Sequence, residues 1–181
     1  MIRVDGGSTL LLGGARSGKS ALAQRLAESW PGAIVFVATA APGDVDMADR
    51  IARHRAERPA GWGLVEAPRF DAQALASIDD ETLVVLDCIT MLVANLFFDE
   101  ASPQQIVDHA GELAMVASTR SAPTLIVSNE VGMGIHPETA LGRRYRDLLG
   151  RVNRVVADHA DRSLFVAAGR ALPLEEVQAT W

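Results

Sequence analysis

Five short apolar runs recur along the chain: TLLL (9–12), AIVFVA (33–38), TLVVLD (82–87), TLIVSN (124–129) and SLFVAA (163–168). They are nearly continuous rather than alternating, the pattern of strands covered on both faces in a parallel sheet. Longer segments with helical spacing separate them. Lys19 to Trp30 places Leu22, Ala23, Leu26 and Ala27 on one stripe, and the PG at 31–32 ends it. Val45 to about Glu57 follows the APGD turn, and Pro59 closes that helix because it disfavours the α region for Arg58. Ile89 to Phe98 is apolar nearly all round, which predicts a buried helix. Pro103 to Ser118 reads as a surface helix with its proline in the first turn after Ser102, and Pro137 to about Ala160 supplies another. Alternation of this kind predicts an α/β fold with a mostly parallel central sheet and helices on both faces. FDEASP (98–103) is too short for a domain linker and no repeat interrupts the pattern, so residues 1–181 read as one domain.

Composition narrows the class. Hydrophobic residues make up 49% of the 181 and charged residues 22%, the profile of a globular α/β protein. A formal net charge of -6 argues against a nucleic-acid partner, because affinity for a polyanion needs basic surface. A small anion in a local pocket stays compatible with it. Cys88 is the single cysteine, so an internal disulfide, a zinc cage and a CxxC pair are all excluded, and a reducing cytoplasm fits. The opening MIRVDGGSTLLLGG has too short an apolar run for a signal peptide, and no window approaches the length of a spanning helix. The expectation is a cytoplasmic protein with no transmembrane segment.

GGARSGKS (13–20) matches G-x-x-x-x-G-K-[ST] in full, directly after a strand-like run and before a helix-like one. That context is what the chemistry requires. Glycines let the backbone curl so that successive N–H groups face phosphate oxygens, and the following helix adds its positive end. Lys19 would reach the β- and γ-phosphates and the Ser20 hydroxyl would ligate Mg²⁺. TLVVLD ends in Asp87, which suits the acid of the magnesium shell, although a carboxylate there also reads as a helix cap. Together the two motifs define a nucleoside-triphosphate site without naming the acceptor.

One histidine stands among four arginines in RIARHRAERP (50–59). In a helix, Arg50 and His54 lie one turn apart beside Met47 and Ile51, with Asp49 and Arg53 paired on the neighbouring stripe. The flanking cations disfavour the imidazolium, which leaves a neutral, nucleophilic ring. On helix geometry alone a solvated or structural histidine is the default reading. SNEVGMGIHP (128–137) should lie at the carboxyl edge of the sheet, where Asn129 and Glu130 are placed to face a ligand and Gly132 and Gly134 allow it close. A long turn explains that stretch equally well. His136 suits a helix entry, and GRRYRDLLGRVN (142–153) reads by default as a solvated basic face.

In combination these segments resemble the bifunctional adenosylcobinamide kinase / adenosylcobinamide-phosphate guanylyltransferases over almost the whole chain. GGARSGKS is similar to the family's form of the phosphate loop, and FVATA (36–40) to the strand and turn that follow. RIARHRAERPAGWGLVEAP (50–68) resembles R-I-x-x-H-x-x-x-R-P-x-x-W-x-x-x-E. LDCITMLVANLFF (86–98) and VSNEVGMGIHPETALGRRYRDLLGRVNRVVADHAD (127–161) complete the order. The loop alone is generic; VSNEVGMGI with the histidine segment is highly specific.

The resemblance implies a single-domain RecA-like P-loop NTPase fold and two reactions. ATP or GTP phosphorylates adenosylcobinamide, and GTP then gives GMP to the product through a guanylylated histidine, releasing pyrophosphate. His54 matches that histidine. Gly13, Gly14, Ala15, Arg16, Ser17, Gly18, Lys19 and Ser20 match the triphosphate cradle, with Ser20 and Asp87 on Mg²⁺. Thr39, Ala40, Ala41 and the Glu57–Arg58–Pro59 turn match nucleotide contacts, and Glu66 matches a further acidic position beside Asp87. A homotrimer is implied as well. Two positions depart from the family: Arg53 stands where relatives often have a second histidine, and Asp87 where some have Glu. Two rivals stay open at this stage, a phosphate-loop kinase of another small alcohol and a nucleotide-binding regulatory module; the lack of an N-K-x-D-like tetrapeptide counts against the second.

Overall fold

A computed structural model describes residues 6–41, 59 and 61–176. The five apolar runs form β1 (Ser8–Gly13), β2 (Ile34–Ala38), β4 (Leu83–Asp87), β5 (Thr124–Asn129) and β6 (Arg162–Ala167). Two strands that the apolar pattern did not mark complete the sheet: β3 (Gly63–Glu66) and β7 (Arg170–Leu174). The order is β3-β2-β4-β5-β1-β6-β7, parallel throughout except for the antiparallel β6–β7 pair. Both unmarked strands lie at the edges, where shortness, Gly63 and Pro173 are tolerated because one side needs no ladder partner.

The strands in the middle of the sheet divide their side chains between two cores. Leu10, Leu12, Val84 and Leu86 face one, while Leu11, Leu83 and Val85 face the other. The second core is covered by α1 (Lys19–Glu28) through Ala23, Leu26 and Ala27. The first is covered by α3 (Ile89–Phe98), α4 (Pro103–Thr119) and α5 (Ala140–His159), with the short α2 (Ala72–Ala76) adding Leu75. Helices on both faces are therefore observed. The expected helix over 45–57 lies outside the described residues.

Local chemistry sets the helix limits. The side chain of Ser102 accepts from the Gln105 N–H at 3.3 Å and Gln105 returns a bond to the Ser102 N–H at 2.9 Å, a reciprocal cap with Pro103 in the first turn. Thr139 caps α5 by accepting from the Gly142 N–H at 3.0 Å. The buried helix expected at 89–98 is buried at Ile89, Thr90, Leu92 and Val93, but its last residue, Phe98, is 70% exposed. Because the sheet is parallel, the loops after β1, β2, β4 and β5 all emerge at its carboxyl edge. That edge is where open α/β sheets hold ligands.

Candidate active site

The phosphate loop turns directly off β1. Gly18 has φ +99°, and a Cβ there would sit 3.1 Å from the Gly169 Cα, so both conformation and space demand glycine. A side chain at Gly13 would collide with the Val166 carbonyl. The loop is tied across the sheet edge by the Gly169 N–H donating to the Ser17 carbonyl at 2.8 Å. Ala15 and Arg16 are exposed at its tip, and Ser20 lies in the first turn of α1.

Lys19 is only 6% exposed, and its ammonium donates to the Gly14 carbonyl at 2.7 Å and reaches the Ser17 hydroxyl at 3.4 Å. Burial lowers its pKa, while the negative forms of Cys88 and Asp87 pull the other way. Asp87 therefore lies close enough for its charge to act on Lys19. In register Asp87 is level with Ala38 and Val127, and Ala38 with Glu66, which ends β3 as an exposed acid. Phosphate loop, Asp87 and Glu66 thus share one sheet edge.

Thr39, expected among the nucleotide contacts, is fully buried, and its hydroxyl pairs with both backbone groups of Cys88. Ala40 and Ala41 continue from it, half-buried. Asn95 of α3 donates to the Thr39 and Pro68 carbonyls at 2.8 and 2.9 Å, fastening the ends of β2 and β3 together. Pro59 accepts from the Trp62 N–H at 3.3 Å. His54, Glu57 and Arg58 lie outside the described residues.

The loop after β5 is joined to the cradle. The Glu130 N–H donates to the Gly13 carbonyl at 3.0 Å, and the Asn129 N–H to the Thr90 hydroxyl at 2.7 Å. Ser128 and Asn153 extend this network inward, bonded at 2.6 Å. Residues 142–153 form more than a solvated basic face. The Tyr145 hydroxyl donates to the Thr90 carbonyl at 2.8 Å, and burial pushes that phenol's pKa up, with Cys88 adding to the shift. Arg143 donates to the Pro137 and Glu138 carbonyls, and Arg146 lies 2.8 Å from the His136 Nδ1. Between the phosphate loop, this loop and α5 opens a cleft of about 570 Å³ with a mostly apolar lining. The 128–137 loop, expected at a ligand site, supplies one wall of the cleft, with Glu130 and Gly134 among its lining; the contribution of α5 through Tyr145 and Arg146 was not expected.

Among the described residues no group of three or more His, Cys, Asp or Glu is gathered to hold a metal by itself, and no helix is long and apolar enough to cross a membrane. Magnesium on a nucleotide takes only one or two protein oxygens and completes its shell with water and phosphate. A hydroxyl and a carboxylate, Ser20 and Asp87, at the same edge as the Lys19 ammonium are donors of the required kind.

A parallel sheet with a glycine loop gripping a buried lysine, and an acid ending a strand that does not adjoin the loop's own strand, defines a RecA-like phosphate-loop nucleotide-binding protein. Solved structures share the fold. An ATPase from the type III secretion system of pathogenic bacteria superposes with a TM-score of 0.59 at 11% identity, over 88% of this chain and 50% of that one. A Pyrococcus horikoshii OT3 protein, PH0250, does so at 0.55 and 8%, over 98% and 89%.

The family model of CobU, cobinamide kinase / cobinamide phosphate guanyltransferase, matches residues 9–174, and the chain belongs to that family. It is 39% identical to the bifunctional adenosylcobalamin biosynthesis protein CobP of Pseudomonas aeruginosa, over 92% of this chain and 96% of that protein. It is 38% identical to the proteins of that description named CobU from Salmonella typhimurium and Escherichia coli, over 88% of this chain and 95% of each. Family membership removes both rival readings, the kinase of an unrelated alcohol and the regulatory module.

Proposed function

We propose that one triphosphate cradle serves both family reactions, first phosphorylating adenosylcobinamide with ATP or GTP and then attaching GMP from GTP to the phosphate so formed. In the first reaction the acceptor hydroxyl oxygen bonds to the γ-phosphorus, the bridge to the β-phosphate breaks, and the nucleoside diphosphate leaves as the hydroxyl proton is lost. In the second, a neutral His54 nitrogen bonds to the α-phosphorus of GTP and pyrophosphate departs. The phosphate oxygen of adenosylcobinamide phosphate then takes the guanylyl group, and breaking the P–N bond restores His54. The covalent intermediate divides one hard transfer into two.

The observation that carries this reading is the buried Lys19 ammonium beside Gly14 and Asp87, in a chain of this family. Lys19 holds β- and γ-phosphates, which orients the γ-phosphorus in one reaction and stabilises departing pyrophosphate in the other. Ser20 and Asp87 would hold Mg²⁺, whose charge offsets that of the phosphates. Thr39, Ala40, Ala41, Glu57, Arg58, Pro59 and Glu66 complete the nucleotide site in this reading. The same resemblance supports a single transferase domain over 1–181, assembled as a homotrimer and working in the cytoplasm.

The test is incubation with GTP labelled on the α-phosphate, followed by denaturation. An acid-labile, alkali-stable adduct is expected on the wild-type protein and not on His54→Ala. A wild-type chain that turns over without acquiring label would sink the covalent route.

A further inference from the structure

The geometry points to the cleft between the phosphate loop and the 130–137 loop as the seat of the corrinoid acceptor, an inference that rests on the proposed function. In phosphate loops the lysine marks the β/γ end of the triphosphate. Here the Lys19 ammonium lies 2.7 Å from the Gly14 carbonyl, and Gly14 with Ala15 forms one wall of the cleft. The cleft therefore opens onto the end of the nucleotide that is transferred, where an acceptor alcohol has to arrive.

Its lining fits that acceptor. A volume of about 570 Å³ is within the range of small-molecule sites, and it accommodates one side of a large ligand whose remainder stays outside. Cobinamide is a methylated macrocycle with a side arm ending in an alcohol, so it needs apolar contact beside a reach toward phosphate. Met133 and Ile135 stand at the rim, 78% and 97% exposed, with Tyr145 in the wall. Exposed apolar side chains clustered at a cleft mark a binding surface. Arg146 is the cation among the described lining residues, braced by Asp147 at 2.8 Å and by His136. In the second reaction the acceptor itself carries a phosphate, and Arg146 is placed to meet it.

Initial rates of the protein with adenosylcobinamide, adenosylcobinamide phosphate and nucleotide test the assignment. Ile135→Ser and Met133→Ser are expected to raise the KM for adenosylcobinamide by roughly tenfold or more, the loss from uncovering one apolar side chain. Their KM for ATP and their incorporation of α-labelled GTP should stay within about twofold of wild type. Arg146→Met should raise the KM for adenosylcobinamide phosphate more than that for adenosylcobinamide. An unchanged adenosylcobinamide KM, an equal rise in nucleotide KM, or a shift in sedimentation showing that the rim joins copies of the chain would each overturn the inference. Wild-type protein that fails to phosphorylate adenosylcobinamide would overturn the functional reading as well; wild-type turnover with silent variants overturns the inference alone.

Discussion

The Thr39 hydroxyl donates to the Cys88 carbonyl at 2.6 Å and accepts from the Cys88 N–H at 2.9 Å. One fully buried side chain thus satisfies both backbone groups of the residue that follows Asp87. The Thr39 N–H donates to the Asp87 carbonyl at 3.2 Å, and Asn95 holds the Thr39 carbonyl in turn. The position of the acid is therefore set by the end of the neighbouring strand.

Replacing that hydroxyl should disturb the acid without emptying the core. Thr39→Val keeps the volume but leaves the buried Cys88 N–H unmatched and its carbonyl with the Leu92 N–H alone, at a cost of about 1–3 kcal/mol in urea unfolding. Both transfers should lose kcat, and Thr39→Ser should restore most of it. Equal kcat in the valine variant would show that Asp87 is positioned by other means.

Much of this architecture was legible in the sequence because a parallel strand buried on both faces has to be apolar throughout. TLIVSN matches β5 residue for residue, and Ile89–Phe98 matches α3. The phosphate loop was legible for the same kind of reason: only glycine fits at Gly18. RALPL gave no strand signal because an edge strand accepts a proline that an interior one refuses. The Thr39–Cys88 pair joins residues 49 apart, which sheet register alone brings together. The SNEVGMGIHP wall of the cleft was legible as a loop at the carboxyl edge, but the α5 wall was not, because only the tertiary fold brings Tyr145 and Arg146 beside the phosphate loop.

Lys19→Met should reduce both transfers by at least about 100-fold, since each needs the triphosphate charge met by the same ammonium. Full kinase activity in that variant would refute the shared cradle. A pH series gives a second check. Burial lowers the native pKa of Lys19, so the alkaline limb of kcat/KM should begin earlier than an exposed lysine would allow. The folded chain then binds this proton less tightly than the unfolded chain does. Between the lowered value and the ordinary 10.5, Lys19 makes stability rise with pH, and Lys19→Met should abolish that contribution in urea titrations.

Cys88 shifts in the opposite sense. Burial, reinforced by the charge of Asp87, pushes its thiol from 9.0 up to about 12. A protonated, buried thiol is a poor nucleophile, so the native protein should resist thiol reagents near pH 8 while the urea-unfolded chain reacts. Its contribution to stability is complete below pH 9.0, where both states keep the proton, and is lost as pH rises from there toward about 12. Cys88→Ala should flatten that alkaline decline. Rapid labelling under native conditions would contradict the packing around Asp87.

Arg120 offers a contrast at the opposite edge of the sheet. Its guanidinium donates to the carbonyls of Leu75, Ile78, Asp79 and Thr82, at 3.3, 3.0, 2.8 and 2.8 Å. These carbonyls belong to the end of α2 and the entry to β4, and Arg120 itself follows α4 and precedes β5. A single planar cation thus ties the α4–β5 connection to the α2–β4 connection where the strands begin, away from the edge that carries the cradle. Charged donors make stronger hydrogen bonds than neutral ones, and Arg120 is only 6% exposed, so Arg120→Ala should cost about 2–4 kcal/mol. Lysine should recover only part of this, because a point charge cannot reproduce the fork that spans four acceptors. At a temperature where the variant remains folded, kcat and KM for both transfers should equal those of the wild type. A selective loss of either transfer would show that strand entry and site are coupled through β4, which the edge-to-edge separation does not predict.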